Sequence, residues 1–194
     1  MENVRGLVLA SLDYREKEKI LRIYTKEKGK LSLIIRQKPG NHLLTTPLSE
    51  GEFIFNRQRG NLHSVKDASL INPRLHLRKT LSILKSAGAF LQVVIHSQLD
   101  EKPTPCLYEL LTSYLDHLPK SPNHALLIAS FKLKLLKYEG LIGESPLPSY
   151  TDKEWQELLS FIEIRSYTTL YQTQNPYLFE SLAERLCRTL DFYL

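Results

Sequence analysis

The stretch that decides the fold is residues 20–36, which read ILRIYTKEKGKLSLIIR. Two apolar, β-branched segments, residues 20–25 and 31–35, flank a short polar turn. Gly29 lies in that turn and can adopt the positive φ that tight hairpin turns require. The pattern predicts a β-hairpin that buries one face of its two strands.

The rest of the first 71 residues continues this pattern of short strands separated by turn residues. A Pro-Gly pair at residues 39–40 ends the third strand, because proline lacks a backbone donor. Five short strands with one longer connection after the third fit a closed barrel of the OB type, although an SH3-like barrel fits the same pattern. The predicted strands are residues 4–12, 18–25, 31–36, 50–57 and 62–70.

After residue 71 the sequence pattern changes from one typical of strands to one typical of helices. A capping box, Thr151 to Glu154, predicts one helix start, and leucines repeat at spacings of three and four. Residues 72–194 are therefore expected to form a bundle of about five helices, so that the chain is α+β with two domains. Four further starts are predicted by a capping residue followed by proline, namely Asn72-Pro73, Thr104-Pro105, Ser121-Pro122 and Asn175-Pro176.

The charge of the chain is unevenly distributed. The 194 residues carry a net charge of +5, with 42% hydrophobic and 24% charged residues, as in ordinary globular proteins. Residues 1–80 hold 16 Lys and Arg against 8 Asp and Glu, a net of +8, whereas residues 81–194 hold 10 against 13, a net of −3. This asymmetry favours an anionic partner for the first part and a different task for the second.

Patterns typical of enzymes, metal sites and exported proteins do not occur. The sequence has no phosphate-binding glycine loop, nucleophile elbow or zinc-protease motif, and its six histidines are scattered, with only His63 retained as a candidate. Cys106 and Cys187 have no partner spacing for a disulfide framework or a metal site. Residues 87–95 are too few to span a bilayer, and no signal-peptide pattern opens the chain. We expect a non-enzymatic protein located in the cytoplasm.

Basic side chains concentrate in the predicted barrel. Alternate positions of a strand face outward, so many of them can converge on one surface, with Tyr14 and Tyr24 as possible stacking platforms. For Tyr24 we favour a core position of the ring over a stacking role. A basic groove with aromatic platforms is typical of single-strand binding. The candidate DNA contacts are Arg15, Lys17, Lys19, Arg22, Lys26, Lys28, Lys30, Arg36, Lys38, Arg57, Arg59 and Lys66.

Several short segments occur in a distinctive order. They are residues 6–9 (GLVL), 13–16 (DYRE), 20–31 (ILRIYTKEKGKL), 62–65 (LHSV), 68–71 (ASLI) and 131–140 (FKLKLLKYEG). In this order they resemble the RecO family of bacterial recombination mediators, well in the N-terminal part and loosely in the helical part.

The resemblance implies an N-terminal OB domain over residues 1–71 and a C-terminal helical domain over residues 72–194. It further implies binding of single- and double-stranded DNA, annealing of complementary strands without ATP, and cooperation with RecR and single-strand-binding protein in loading RecA. A nucleoid-associated location follows, with no membrane partner. The missing nucleotide loop and the basic first part agree with this independently.

Two features depart from the family pattern. Many members carry a four-cysteine zinc module after the helix that ends near Gly140, but residues 141–150 contain no cysteine, so no zinc is expected. The link at residues 37–47 is also less basic than in the family, which weakens any assignment of DNA contacts there.

The resemblance also implies a dock for the acidic, phenylalanine-ended tail of single-strand-binding protein on the helical domain. Such a dock needs an apolar pocket rimmed by cations, and residues 121–138 are the best candidate. The alternative is that the apolar members are core and the lysines a solvated face. The candidate residues are Phe131, Lys132, Lys134, Leu135 and Lys137.

Two other function classes remain open from the residues alone. The barrel fits a generic OB-fold RNA-binding module, which a preference for structured RNA over DNA annealing would reveal. It also fits a protein-binding adaptor with an incidentally basic barrel, which would lack salt-sensitive nucleic-acid binding.

Overall fold

A computed structural model describes residues 1–37 and 42–190 of the chain. Its first part is a closed five-stranded barrel with strand order β1-β2-β3-β5-β4, in which β4 pairs back onto β1. All pairings are antiparallel except β3 with β5, which is parallel. This arrangement confirms the predicted OB-type barrel. The strands are β1 (Glu2–Arg15), β2 (Glu18–Thr25), β3 (Gly29–Arg36), β4 (Glu50–Asn56) and β5 (Leu62–Asn72).

The barrel closes around alternate residues of the hairpin that the sequence singled out. Leu21, Ile23, Leu33 and Ile35 point inward and are at most 4% exposed. They join β4 aromatic rings in one core cluster, completed by Leu44 from the connection between β3 and β4. Burying each such side chain contributes about 1.5–3 kcal/mol, so this alternation is a main source of the barrel's stability.

Within the described residues, six α-helices follow, with one-turn 3₁₀ helices at Leu75–Arg78 and Leu118–Lys120. Two helices, α2 and α6, begin at Pro105 and Pro176, as predicted from the capping residue that precedes each proline. Thr151 forms the predicted capping box with Glu154 at the start of α4. The short α5 was not predicted, because five residues are too few to show a helical period. The helices are α1 (Leu81–Ser97), α2 (Pro105–His117), α3 (His124–Tyr138), α4 (Asp152–Ile162), α5 (Tyr167–Tyr171) and α6 (Pro176–Thr189).

Two predicted helix starts are displaced. Asn72 is the last residue of β5, and its side chain accepts a 2.8 Å hydrogen bond from the backbone N–H of Arg74, which has a φ of 43°. This turn delays α1 to Leu81. In α3 the cap is Asn123, whose side chain accepts from the backbone N–H of Leu126, rather than the predicted Ser121.

The chain forms two compact units, Met1–Leu81 with Val94–Leu110, and Ser82–Val93 with Leu111–Leu194. The first unit thus includes a segment, Val94–Leu110, that follows the boundary predicted at residue 71. The reason is that residues 98–109, which we call the acidic strap, contact the barrel. The Tyr24 hydroxyl bonds the Thr104 side chain, and the Tyr108 hydroxyl donates to Glu50 at 3.0 Å.

The second unit has its own aromatic core. The rings of Phe90, Tyr114 and Phe131 lie 5.1–6.0 Å apart, and the Tyr114 hydroxyl bonds the Ser130 hydroxyl at 2.8 Å. Trp155 is fully buried and donates its ring N–H to the Glu144 carbonyl at 3.1 Å. Among the described residues, no helix combines the length and apolar character needed to cross a membrane.

A candidate nucleic-acid interface on the barrel

Four strands share one outer surface of the barrel. Directly paired residues of neighbouring strands project to the same side of a sheet. Leu21 and Leu33 project into the core, so the residues that alternate with them project outward. Two successive outward rows result, one of Ala10, Arg22, Ser32 and Leu62 and the next of Leu12, Ile20, Ile34 and Ser64. We call this surface, together with Arg36, the open sheet face.

Unpaired cations lie on and around the open sheet face. Arg22 and Arg36 are exposed on it, Lys17 is exposed in the β1–β2 turn, and Arg59 lies three residues before Leu62. Within residues 1–37 and 42–190, none of these four forms an ion pair with a carboxylate. They are therefore available to an anionic ligand. Lys66 is also exposed and without an ion pair in this part of the chain, but it lies on β5 beyond the segment that pairs with β3.

Apolar and aromatic groups lie beside these cations. Leu12 is 55% and Tyr14 46% exposed, and the Arg15 guanidinium lies 5.0 Å from the centre of the Tyr14 ring. Ile20 and Ile34 are half-buried and lie between these two exposed side chains, Leu12 and Tyr14, and the cations. Tyr24 is fully buried, which agrees with the favoured interpretation of its ring as core. Tyr14 remains as the stacking platform.

The cations of the hairpin tip, by contrast, each contact a carboxylate. The sequence predicts an exposed cationic tip, whereas the structure shows these ammonium groups in ion pairs. The hydrogen bond to Glu109 raises the pKa of Lys26, and that from Lys28 lowers the pKa of Glu2. The pairs are Lys26–Glu109 at 2.5 Å, Lys28–Glu2 at 2.7 Å and Lys30–Asp100 at 3.3 Å.

The remaining predicted contacts are also paired. Arg57 contacts Glu101 and lies 4.0 Å from Glu2. Lys19 is 3.2 Å from Asp13, and Arg15 has only a loose 3.7 Å pair with Glu18. Lys38 lies outside the described residues. Of the eleven predicted cations that the structure describes, five have no ion pair in this part of the chain (Lys17, Arg22, Arg36, Arg59 and Lys66), and six are paired (Arg15, Lys19, Lys26, Lys28, Lys30 and Arg57).

His63 lies in a pocket of about 200 Å³ at the hairpin-tip end of the barrel. Its ring is 1% exposed and stacks on Phe55 with centroids 5.4 Å apart. Nδ1 accepts from the Gln58 backbone N–H at 3.3 Å, so in the neutral ring Nε2 carries the proton and donates to Glu101 at 3.1 Å. His63 therefore has a packing role. The charged residues that line the pocket are three acidic ones, Glu2, Glu27 and Glu101, and two basic ones, Lys28 and Arg57.

The predicted tail-binding helix is α3. Phe131 and Leu135 are fully buried in the second unit, so they are core residues and do not line a surface pocket. Lys134 donates to the Ile164 carbonyl at 2.5 Å, and burial lowers its pKa. Lys137 pairs with Glu163, which leaves the half-buried Lys132 as the candidate lysine with neither an ion pair nor a side-chain hydrogen bond in the described ranges.

Sequence reasoning missed two groups of residues. The first is the apolar row of the open sheet face, which the two-residue spacing of Ile20 and Arg22 could have indicated, because it places both on one side of β2. The second is the set of carboxylates in the acidic strap, which lie 44 to 83 residues along the chain from their partners and give no local signal. In the described part of the chain, no three His, Cys, Asp or Glu side chains are placed to hold a metal ion.

A closed barrel of OB topology with a cationic outer face, joined to a helical unit, defines the class of this protein as an OB-fold protein with a helical extension. Comparison with known families agrees. The model of the N-terminal part of recombination protein O matches residues 1–74, and that of its C-terminal part matches residues 78–142. The chain belongs to the RecO family.

Individual relatives support this assignment. The chain is 28% identical over 149 residues to the DNA repair protein RecO of Chlamydia pneumoniae, covering 74% of this chain and 58% of that protein. It is 27% identical over 143 residues to that of Bacillus pumilus (72% and 56%) and 30% identical over 140 residues to that of Syntrophus aciditrophicus (70% and 54%). The chain thus spans a little more than half the length of these relatives.

Proposed function

We propose that this protein acts in DNA repair as a recombination mediator whose barrel binds single-stranded DNA on the open sheet face. The observation that carries the proposal is the set of four unpaired cations, Lys17, Arg22, Arg36 and Arg59, around exposed apolar groups. Its relatives are named DNA repair proteins, which supports the same role.

The binding mode follows from the chemistry of the face. Phosphate groups contact the guanidinium and ammonium groups and release counterions, which supplies affinity independent of sequence. Exposed bases contact Leu12 and Ile34 and stack on Tyr14, and every base offers a face for such contacts. Duplex DNA presents only its phosphates to this surface, so it binds through the cations alone.

The wider role follows the family. Two strands held by their backbones leave base edges free to pair, so annealing needs no ATP. RecR, single-strand-binding protein and RecA are the partners through which annealing and RecA loading proceed. For the acidic tail of single-strand-binding protein, Lys132 on α3 is the proposed contact, because among the α3 candidate lysines it forms neither an ion pair nor a side-chain hydrogen bond within the described residues.

The experiment compares salt dependence of binding to oligothymidylate between two triple variants. Replacing Lys17, Arg22 and Arg36 with glutamine removes three phosphate contacts. Because the slope of log K against log salt is about −0.7 per contact on a single strand, it should become less steep by about 2. The melting temperature should barely change, since exposed charges contribute little stability.

The matched control replaces Lys85, Lys132 and Lys153 with glutamine, the same change of net charge outside the barrel. It should keep the wild-type DNA slope but bind an acidic, phenylalanine-ended tail peptide more weakly. Equal loss of DNA affinity in both variants would mean that net charge, and not this surface, determines the affinity. An unchanged slope in the barrel variant would contradict the open sheet face as the DNA site.

A further inference from the structure

One short acidic segment contacts three of the basic residues that the sequence predicts to bind DNA. Lys26 lies in the hairpin turn, Lys30 at the start of β3, and Arg57 directly after β4, so the cations come from separate parts of the barrel sequence. All three meet carboxylates of the acidic strap, residues 98–109. The contacts are Lys26 Nζ–Glu109 at 2.5 Å, Lys30 Nζ–Asp100 at 3.3 Å and Arg57–Glu101.

The strap is held in place by bonds other than these ion pairs. The Glu101 backbone N–H donates to the Lys30 carbonyl at 2.8 Å, and Thr104 bonds the buried Tyr24 hydroxyl. A Cβ added to Gly29 would lie 2.0 Å from the Lys102 carbonyl oxygen, so strap and hairpin turn are in close backbone contact. The carboxylates are therefore positioned whether or not their ion pairs form.

The ion pairs themselves can exchange. The side chains of Lys26 and Arg57 are 47% and 58% exposed, and water reaches both. Exposed ion pairs are weak and screened by salt. A phosphate oxygen can replace a carboxylate oxygen as the partner of either cation, and a guanidinium group can donate two parallel hydrogen bonds to a phosphate. Lys30 is 12% exposed and also donates to the Ile95 carbonyl at 2.9 Å, so it is held more tightly.

We propose that the acidic strap masks a second phosphate-binding site, formed by Lys26, Lys30 and Arg57, which DNA occupies by displacing the strap's carboxylates. This rests on the proposed function of the barrel. The strap itself stays in place, and only side-chain partners exchange. Exchange of one anion for another releases few counterions, so the masked cations add little to affinity or to its salt dependence while the carboxylates are present.

The test neutralises the strap with Asp100→Asn, Glu101→Gln and Glu109→Gln in the full chain, and measures binding of oligothymidylate between about 50 mM and 200 mM salt. Freeing Lys26 and Lys30, and Arg57 except for Glu2 at 4.0 Å, should steepen the slope of log K against log salt by about 1–2, and raise affinity at the lower salt on the order of tenfold. The control carries Glu52→Gln, Asp67→Asn and Glu157→Gln, which change the net charge equally but touch none of the three cations.

A second comparison adds Lys26→Gln, Lys30→Gln and Arg57→Gln to the strap variant. The gain should disappear, because the cations that produce it are gone. If the gain in DNA affinity persists in this combined variant, or if the control variant shows the same gain, the masked site is contradicted. The gain would then come from the change in net charge alone. Salt-dependent binding by the wild-type chain with no gain in the strap variant contradicts the masked site alone. No binding by any variant contradicts the proposed function as well.

Discussion

At the scale of single residues, Glu50 shows how the barrel unit places charge. Its carboxylate is 4% exposed, 2.7 Å from Arg5 Nε and 3.5 Å from the equally buried Arg74, and it accepts from the Tyr108 hydroxyl at 3.0 Å. Burial alone would raise the pKa of Glu50, but hydrogen bonds from Arg5 and Tyr108 outweigh burial, and the net shift is downward. The first residue of β4 is thus a structural anchor for the acidic strap.

Glu50→Gln should lower the free energy of unfolding by about 2–4 kcal/mol, because buried positive charge loses its carboxylate. The exposed neighbour Glu52→Gln should change it by less than about 0.5 kcal/mol. Because the pKa of Glu50 is lower in the folded protein than in the unfolded chain, where it is about 4.3, the ionised carboxylate stabilises the fold at pH values above that unfolded pKa. This stabilisation is lost as the pH falls through the folded-state pKa. Denaturant unfolding at pH 7 and below pH 4 should therefore show the gap between wild type and Glu50→Gln narrowing in acid. A constant gap would contradict a charged Glu50.

The residues also show what sequence could and could not predict. The burial of Tyr24 does not follow from strand alternation, because Tyr24 lies on the same side of β2 as the exposed Arg22 and is buried by contacts with Thr104 and Tyr108. The pairing of Lys26 with Glu109 could not be predicted either, because the two residues are 83 positions apart and no pattern near either one signals the other. Local charge density identified the basic region, and tertiary contacts decided which of its members are free.

At the scale of elements, strand prediction was close because each strand is delimited by its own turn chemistry. The bounds of β2 were predicted to the residue, and β3 and β4 to within two. The start of α1 was misplaced, because Asn72-Pro73 opens a turn in which Arg74 has a positive φ. The hairpin turn depends on Gly29 for a second reason that the sequence does not contain, its contact with the strap.

Comparison of two glycines isolates that contact. Gly29 and Gly60 both have positive φ, 69° and 91°, but an added Cβ meets the Lys102 carbonyl only at Gly29 and nothing within 4 Å at Gly60. Gly60→Ala should cost about 1–2 kcal/mol for backbone strain, and Gly29→Ala about 2–5 kcal/mol because overlap is added. Equal losses in thermal unfolding of the two variants would mean that the strap does not pack on the turn.

At the scale of the whole molecule, the uneven charge is an organised feature. The N-terminal 80 residues have a net charge of +8, and the acidic strap from the later part of the sequence offsets it only at the hairpin tip. The open sheet face keeps its charge. Composition predicted the anionic partner, whereas the location of the free cations required the register of four strands.

The measurement that tests the central claim most directly is photocrosslinking from a single position. A benzophenone amino acid replaces Ile34, which points outward at the centre of the open sheet face, and in a matched chain replaces Asp67, exposed on β5 where it pairs with β4. Irradiation with oligothymidylate at low salt should crosslink the Ile34 chain in a salt-sensitive manner and leave the Asp67 chain unlinked. Crosslinks from position 67 with none from position 34 would contradict DNA binding on this face.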